Sequence, residues 1–301
     1  MSPITSGKPI ARIEKRSQLG AARGVGPNHR CVPVTAHRRW LFLLAAGLAV
    51  VLPQPLAMAE IAPHRALYTM SLGSTSGDSG VVGATGAMDY EWGETCDGWT
   101  IEQRYRLRMR YAENRDLDVT SSFVTWESKD GLRYRFNQRE TRNGEVDQEI
   151  RGEARLDGPG KGGIAIFTKP QPQTMKLAPG VLFPSAHTIL LIDKAKDGAS
   201  FVTRHVFDGA TEENAVQVSA VIGAKVTADP VSTKPSPLLD RPGWYMRLAF
   251  FPVDAKAEEP DYELGMDLLD NGVSRDMVID YGDYSIRAKL NDIEPLGKPG
   301  C

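Results

Sequence analysis

Apolar and polar residues alternate along most of the chain with a period of two, the signature of half-buried β-strands. Ile101, Gln103, Tyr105, Leu107, Met109 and Tyr111 fall on one face of an extended segment, while Arg104, Arg106, Arg108 and Arg110 fall on the other. Leu132, Tyr134 and Phe136 alternate with Arg133 and Arg135 in the same way. Turn dipeptides punctuate these runs at Asp97-Gly98, Asp130-Gly131, Asn143-Gly144, Asp157-Gly158, Asp208-Gly209 and Asn271-Gly272, which predicts long antiparallel hairpins. Four further strands are expected over Tyr245–Phe251, Tyr262–Leu269, Val273–Tyr281 and Tyr284–Ile293, with Gly282-Asp283 as another turn. One segment departs from this period. From Ser185, read as an N-cap, through Ile189, Leu190, Leu191 and Ile192 to the stop at Gly198, the pattern is that of a single helix set among strands. Residues 228–242 are too rich in proline for a central strand and read as a surface excursion.

The N-terminus has a different character. Trp40–Leu52 is an apolar run directly after Arg38 and Arg39, and Ala57-Met58-Ala59 supplies the small-x-small pattern of a signal-peptidase site. Cleavage before Glu60 is expected, so residues 1–59 are a signal peptide with an extended basic leader and residues 60–301 are the exported domain. Pro53 and Pro55 break the run, which is too short for a stable membrane span, so no permanent membrane anchor is expected. The arginine pair suits twin-arginine export as well as the general route.

Removing the leader changes the charge. The whole chain has 36 basic and 38 acidic side chains, and the leader holds eight Lys or Arg and one Glu, which leaves a formal charge of −9 on Glu60–Cys301. Nucleic acid is an unsuitable partner for that sign. Cys31 leaves with the leader, and Cys96 and Cys301 remain as an even pair in an oxidising compartment. They read as a structural disulfide, because redox-active pairs use a C-x-x-C spacing that is absent here.

Candidate chemistry is sparse. His64, His187 and His205 share no metal-ligand spacing with one another or with a cysteine, so neither a metal nor another cofactor is expected. No G-x-S-x-G elbow, Walker loop or dinucleotide fingerprint occurs. The arginine stripe is the more specific feature. Either Arg104, Arg106, Arg108, Arg110, Arg133, Arg135, Arg139 and Arg142 form a solvated face paired to residues such as Asp118, Glu127 and Glu140, or they recognise an anionic ligand, a lipid headgroup or an acidic protein. His187, in the first turn of the helix, has a packing or hydrogen-bonding role ahead of a catalytic one.

Several short patterns converge. Cys96-Asp97-Gly98-Trp99, the Leu182-Phe183-Pro184-Ser185-Ala186-His187-Thr188 lead-in to the helix, Pro260-Asp261-Tyr262-Glu263, Asn271-Gly272-Val273, Asp280-Tyr281-Gly282 and the terminal cysteine resemble the cell-envelope integrity protein EipB family of alphaproteobacteria. The resemblance implies an all-β, single-domain periplasmic protein, an open spiral-like barrel of about fourteen antiparallel strands around a helix, stapled by a disulfide between the cysteines matching Cys96 and Cys301. It also implies a role in maintaining the cell envelope without an established enzymatic activity. The fold is reminiscent of the half-barrels that carry lipoproteins across the periplasm.

The leading expectation is therefore a non-catalytic periplasmic protein that holds a lipid-like or anionic ligand, or a partner protein, in the concavity of a curved sheet. Arg104, Arg106, Arg108, Arg110, Arg133, Arg135 and His187 are its candidate ligand-binding residues. A scaffold that docks a periplasmic helical-repeat protein is the alternative, and a cell-wall or lipid hydrolase comes third.

Overall fold

The computed structural model describes residues 60–77, 79–112, 116–226, 236–252 and 259–301. The leader, with Cys31, Trp40–Leu52 and the cleavage pattern, lies outside the described residues, as do residues 227–235 of the proline-rich excursion.

The chain first lays down β1 (His64–Thr75), β2 (Val81–Glu94), β3 (Gly98–Tyr111), β4 (Asp116–Ser128), β5 (Arg133–Arg142), β6 (Glu145–Leu156), β7 (Gly163–Lys169) and β8 (Gln173–Leu177). Helix α1 (Pro184–Lys196) follows. The remaining strands are β9 (Phe201–Val206), β10 (Val216–Val226), β11 (Gly243–Phe251), β12 (Tyr262–Leu269), β13 (Ser274–Asp280) and β14 (Tyr284–Pro295). Together they form one 14-stranded sheet in which every named strand pair is antiparallel. Chain neighbours are sheet neighbours with two exceptions: β1 pairs with β14, whereas β8 and β9 do not pair and form the two edges. The sheet is thus a ring cut at one place, and the helix is the connection across the cut.

Alternation decides which face is buried. On β3, Tyr105, Leu107 and Met109 point inward and the four arginines between and beside them point to solvent, as the period predicts. The hairpin turns expected at Asn143-Gly144, Asp130-Gly131, Asn271-Gly272 and Gly282-Asp283 are present, each with a residue at positive φ. Two other turn dipeptides have different roles. Asp157-Gly158 opens a longer β6–β7 loop, and Asp208-Gly209 lies in the connection between β9 and β10. Gly209 is required there for a packing reason as well as for its φ of 66°, since a Cβ would collide with the Phe136 ring.

The interior divides into two apolar clusters. The larger is mainly aliphatic and draws on β1–β4, α1 and β9–β14, with Met70, Leu107, Leu191, Ile192, Met246, Leu268 and Ile286 among its members. The smaller is aromatic and gathers Phe123, Tyr134, Phe136, Phe167, Phe183 and Phe207 from β4–β7 and from the segments on either side of α1 and β9. Its rings are in direct contact, with Tyr134 stacked on Phe183 at 5.0 Å and Phe136 edge-on to Phe167 at 5.3 Å and to Phe207 at 5.7 Å.

Helix α1 begins one residue before the expected N-cap. Pro184 occupies its first turn, Phe183 is the N-cap and makes no side-chain capping bond, and Ser185 lies inside the helix. Proline suits that position because its missing N–H would be unpaired in any case. At the other end Gly198, at φ 81°, donates to Ala195 O, and Ala199 donates to Lys194 O, which pairs two of the last-turn carbonyls and closes the helix.

Candidate functional site

Two sets of side chains were expected to form one site, and the barrel wall separates them. The arginines lie outside and His187 lies inside.

The outer face of β3–β6 follows directly from the pleat. Arg104, Arg106, Arg108 and Arg110 face out from β3, and Arg133, Arg135 and Arg139 face out from β5. Part of this charge is neutralised: Arg104 pairs with Glu102, and Arg108 donates to Asp116 at 2.6 Å. Asp118 stands opposite Arg108 in the ladder, as the solvated-face reading expects. Glu127 and Glu140 do not serve this face. Both fall on the inward parity of their strands and are buried, and Glu140 meets Arg142 at 3.3 Å while accepting from Tyr105 Oη at 3.2 Å. Burial raises the Glu140 carboxyl above its ordinary range, against the opposing pull of Arg142 and Tyr105.

One part of the outer face is organised differently. Trp126 of β4 sits beneath two guanidinium groups, Arg135 at 5.0 Å and Arg133 at 5.5 Å from its ring centre. Arg133 stands directly opposite Arg155 in the β5–β6 ladder, so like charges face each other there. Among the described residues, Arg106, Arg133, Arg135, Arg139 and Arg155 carry no ion pair. Stacking on an indole restricts a guanidinium without using its outward N–H groups, so those donors stay available to an anion.

Inside, the base of α1 is held by a buried carboxylate. Glu127 accepts from the Ser185 N–H at 2.7 Å and from the Ala186 N–H at 2.8 Å, and so caps the helix from a different strand. Negative charge at a helix N-terminus is favourable, yet burial dominates and pushes the Glu127 carboxyl up to about 7. His187, one turn into the helix, is 5% exposed. Burial lowers its imidazole to about 3, so it is neutral across the physiological range. Its Nε2, and the Nε1 of Trp92, have no hydrogen-bond partner among the described residues.

A cavity of about 40 Å³ lies between α1 and the facing strands, lined by Trp92, His187, Leu191, Val218, Phe250 and Met266 among others. Room for a few waters is far less than an acyl chain needs. Elsewhere helix and strand side chains pack into the expected concavity, where the inward-facing apolar residues are buried. No group of three or more His, Cys, Asp or Glu able to hold a metal occurs among the described residues. Cys96 and Cys301 are joined as expected, with Cα atoms 5.8 Å apart, which fastens the chain end to the β2–β3 turn.

Trp126, Arg155 and the role of Glu127 were not picked out from the sequence. Parity carries the missing signal for two of them: Trp126 is a large aromatic on the outward register of β4, and Glu127 is an acid on the inward one.

The open ring, the cross-cut helix and the terminal disulfide can now be set beside known proteins. The EipB-like family model matches residues 55–297. The chain belongs to the EipB-like family. It is 34% identical over 252 residues to the cell envelope integrity protein EipB of Brucella abortus (strain 2308), covering 80% of this chain and 88% of that protein. It also resembles the crystal structure of a beta-barrel-like protein of a domain of unknown function from Brucella abortus, with a TM-score of 0.74 and 30% identity, over 79% of this chain and 100% of that one. Within this EipB-like fold, no described helix is long and apolar enough to cross a membrane.

Proposed function

We propose that this EipB-like chain is exported, loses residues 1–59, and serves the integrity of the cell envelope from the periplasm as a non-catalytic binding protein. The name of its Brucella relative supports the envelope role. The disulfide supports an oxidising compartment. Its working surface is the outer arginine and tryptophan face of β3–β6, and the bound group is the phosphate of an anionic phospholipid.

The observation that carries this reading is Trp126 beneath Arg133 and Arg135, with Arg155 opposite Arg133; Glu153 stands opposite Arg135 in the ladder, yet none of the three arginines forms an ion pair among the described residues. Planar guanidinium donors match phosphate oxygens, and a broad sheet face suits a surface of repeating headgroups better than it suits a single small molecule. Carriage of a lipid inside the barrel fits less well, because the inward-facing apolar side chains are buried against one another and the cavity beside α1 is only about 40 Å³. Hydrolysis is disfavoured by the same interior. Both oxygens of Glu127 are committed to helix N–H groups, and His187 is sealed and neutral.

Co-sedimentation with vesicles tests the reading. The protein should bind phosphatidylglycerol vesicles, bind phosphatidylcholine vesicles weakly, and lose most of the difference at high salt. Arg133→Ala combined with Arg135→Ala should weaken binding by about thirtyfold, since each lost charged contact contributes on the order of 1 kcal/mol. Equal binding to both lipids, or an unaffected double variant, would overturn it.

A further inference from the structure

Strand β9 is an edge, and part of that edge is already in use. Pairing of β9 with β10 is antiparallel, and Ile222 donates to Ser200 O, so the even-numbered residues 202, 204 and 206 turn their backbone groups toward β10. Phe201, Thr203 and His205 therefore turn theirs away from it. At the far end of the strand this outward row is taken by the chain's own Leu182, which adds as an isolated parallel bridge: Leu182 donates to His205 O at 2.9 Å and accepts from Phe207 N–H at 3.0 Å. A turn with Val181 N–H on Ala178 O and Gly180 at φ 83° carries the preceding residues away from the edge. The outward groups of Phe201 and Thr203 are left without a strand.

Three further features mark this stretch as a receptor for a strand. Phe201 is 59% exposed, and its cross-strand neighbour Val221 is 52% exposed, so an apolar pair stands on the outer face at the rim of the sheet. Arg204 has the parity of the buried Val202 and Val206 and is nevertheless exposed. It has no ion pair among the described residues, and its Nη1 donates to Thr203 O at 2.7 Å, covering one of the outward carbonyls as an edge guard.

We infer that the Phe201–Arg204 edge of β9 binds an extended segment of another protein by strand addition, with an apolar side chain toward Phe201 and Val221 and an acidic one toward Arg204. Successive residues of a strand point to opposite faces, so an alternating apolar and acidic peptide satisfies both requirements at once. The incoming acid draws Arg204 off Thr203 O, and the freed carbonyl then joins the new ladder. Leu182 shows the geometry on this same strand one step further along. This edge is separate from the arginine face of β3–β6, and either can fail without the other.

The test uses the full mature chain, labelled with nitrogen-15, and a capped hexapeptide of alternating valine and glutamate. Titration should shift the amide signals of Phe201, Thr203 and His205 and slow their hydrogen exchange, and the corresponding valine and lysine peptide should bind about tenfold more weakly because it meets Arg204 with like charge. Thr203→Pro removes an outward N–H without removing a β9–β10 bond and should abolish the shifts. Phe201→Ser, at an exposed position, should weaken binding severalfold and carries the test if the proline variant does not fold. Shifts that are absent or centred elsewhere, or equal binding of the two peptides, or unchanged binding by the variants, would overturn the inference.

Discussion

The two apolar clusters hold the same sheet together by different means. The aliphatic cluster is centred where the ring is continuous, across the β1–β14 ladder, and reaches the cut only through α1 and Val202 and Val206 of β9, so most of its residues fill space between strands already joined by backbone hydrogen bonds. The aromatic cluster sits beside the cut, where β8 and β9 are unpaired. There the rings of Tyr134, Phe136, Phe167, Phe183 and Phe207 join β5 and β7 to the segments flanking α1 and β9, and Tyr134 Oη donates to Asp208 O at 2.8 Å across the same gap. Where a backbone ladder is missing, large flat side chains with defined contact geometry supply the closure.

Truncation in each cluster should expose this difference most strongly. Phe136→Ala should cost about 4 kcal/mol and Leu268→Ala about 3 kcal/mol in denaturant unfolding, as buried large-to-small changes do. Hydrogen exchange distinguishes their reach. Phe136→Ala should speed exchange in β5–β8 and residues 207–215 and leave β12 and β13 protected, and Leu268→Ala should do the reverse; a uniform response from both would mean that the clusters are one cooperative unit.

The staple belongs to the continuous side. Cys96→Ser and Cys301→Ser should each lower stability by about 3 kcal/mol in oxidising buffer, by the same amount as one another, and neither should matter under reductant. The variants should fray β14 and the β2–β3 turn ahead of the aromatic side.

Glu127 tests the junction between the two regions, since it anchors α1 from β4. Its carboxyl is raised in the folded state from 4.5 to about 7, so its contribution to stability is complete below pH 4.5 and is lost as the pH rises through about 7. The loss amounts to about 3 kcal/mol. Glu127→Gln should remove this fall from the pH profile of unfolding, because the amide does not titrate. A wild-type profile parallel to that of the variant between those pH values would disprove the assignment.

The outer face should matter least. Arg104→Ala removes an exposed ion pair with Glu102 and should change stability by less than about 0.5 kcal/mol. A larger loss would show that the face contributes to closure.

Alternation made the strand faces legible from the sequence, down to which arginines of β3 meet solvent, because a half-buried strand must obey the period of its pleat. The helix was legible for the opposite reason, as a local departure from that period. Its true cap was not, because Glu127 comes from 58 residues away and no local motif records such a partner. The filled interior was equally hidden, since alternation states that a face is covered and not what covers it. The arginine site was half legible: the stripe was visible, but its organisation by Trp126 depends on neighbouring strands being in register.

The pairing of β1 with β14 also sets an order of events in time. Arg65 and Glu294 lie 229 residues apart and meet across that ladder. A chain that emerges N-terminus first therefore presents the outer edge of β1 bare until β14 has appeared. Through that interval β1 is an open invitation to any other extended chain, and the protein depends on slow, long-range closure at the moment it is most exposed to misassembly.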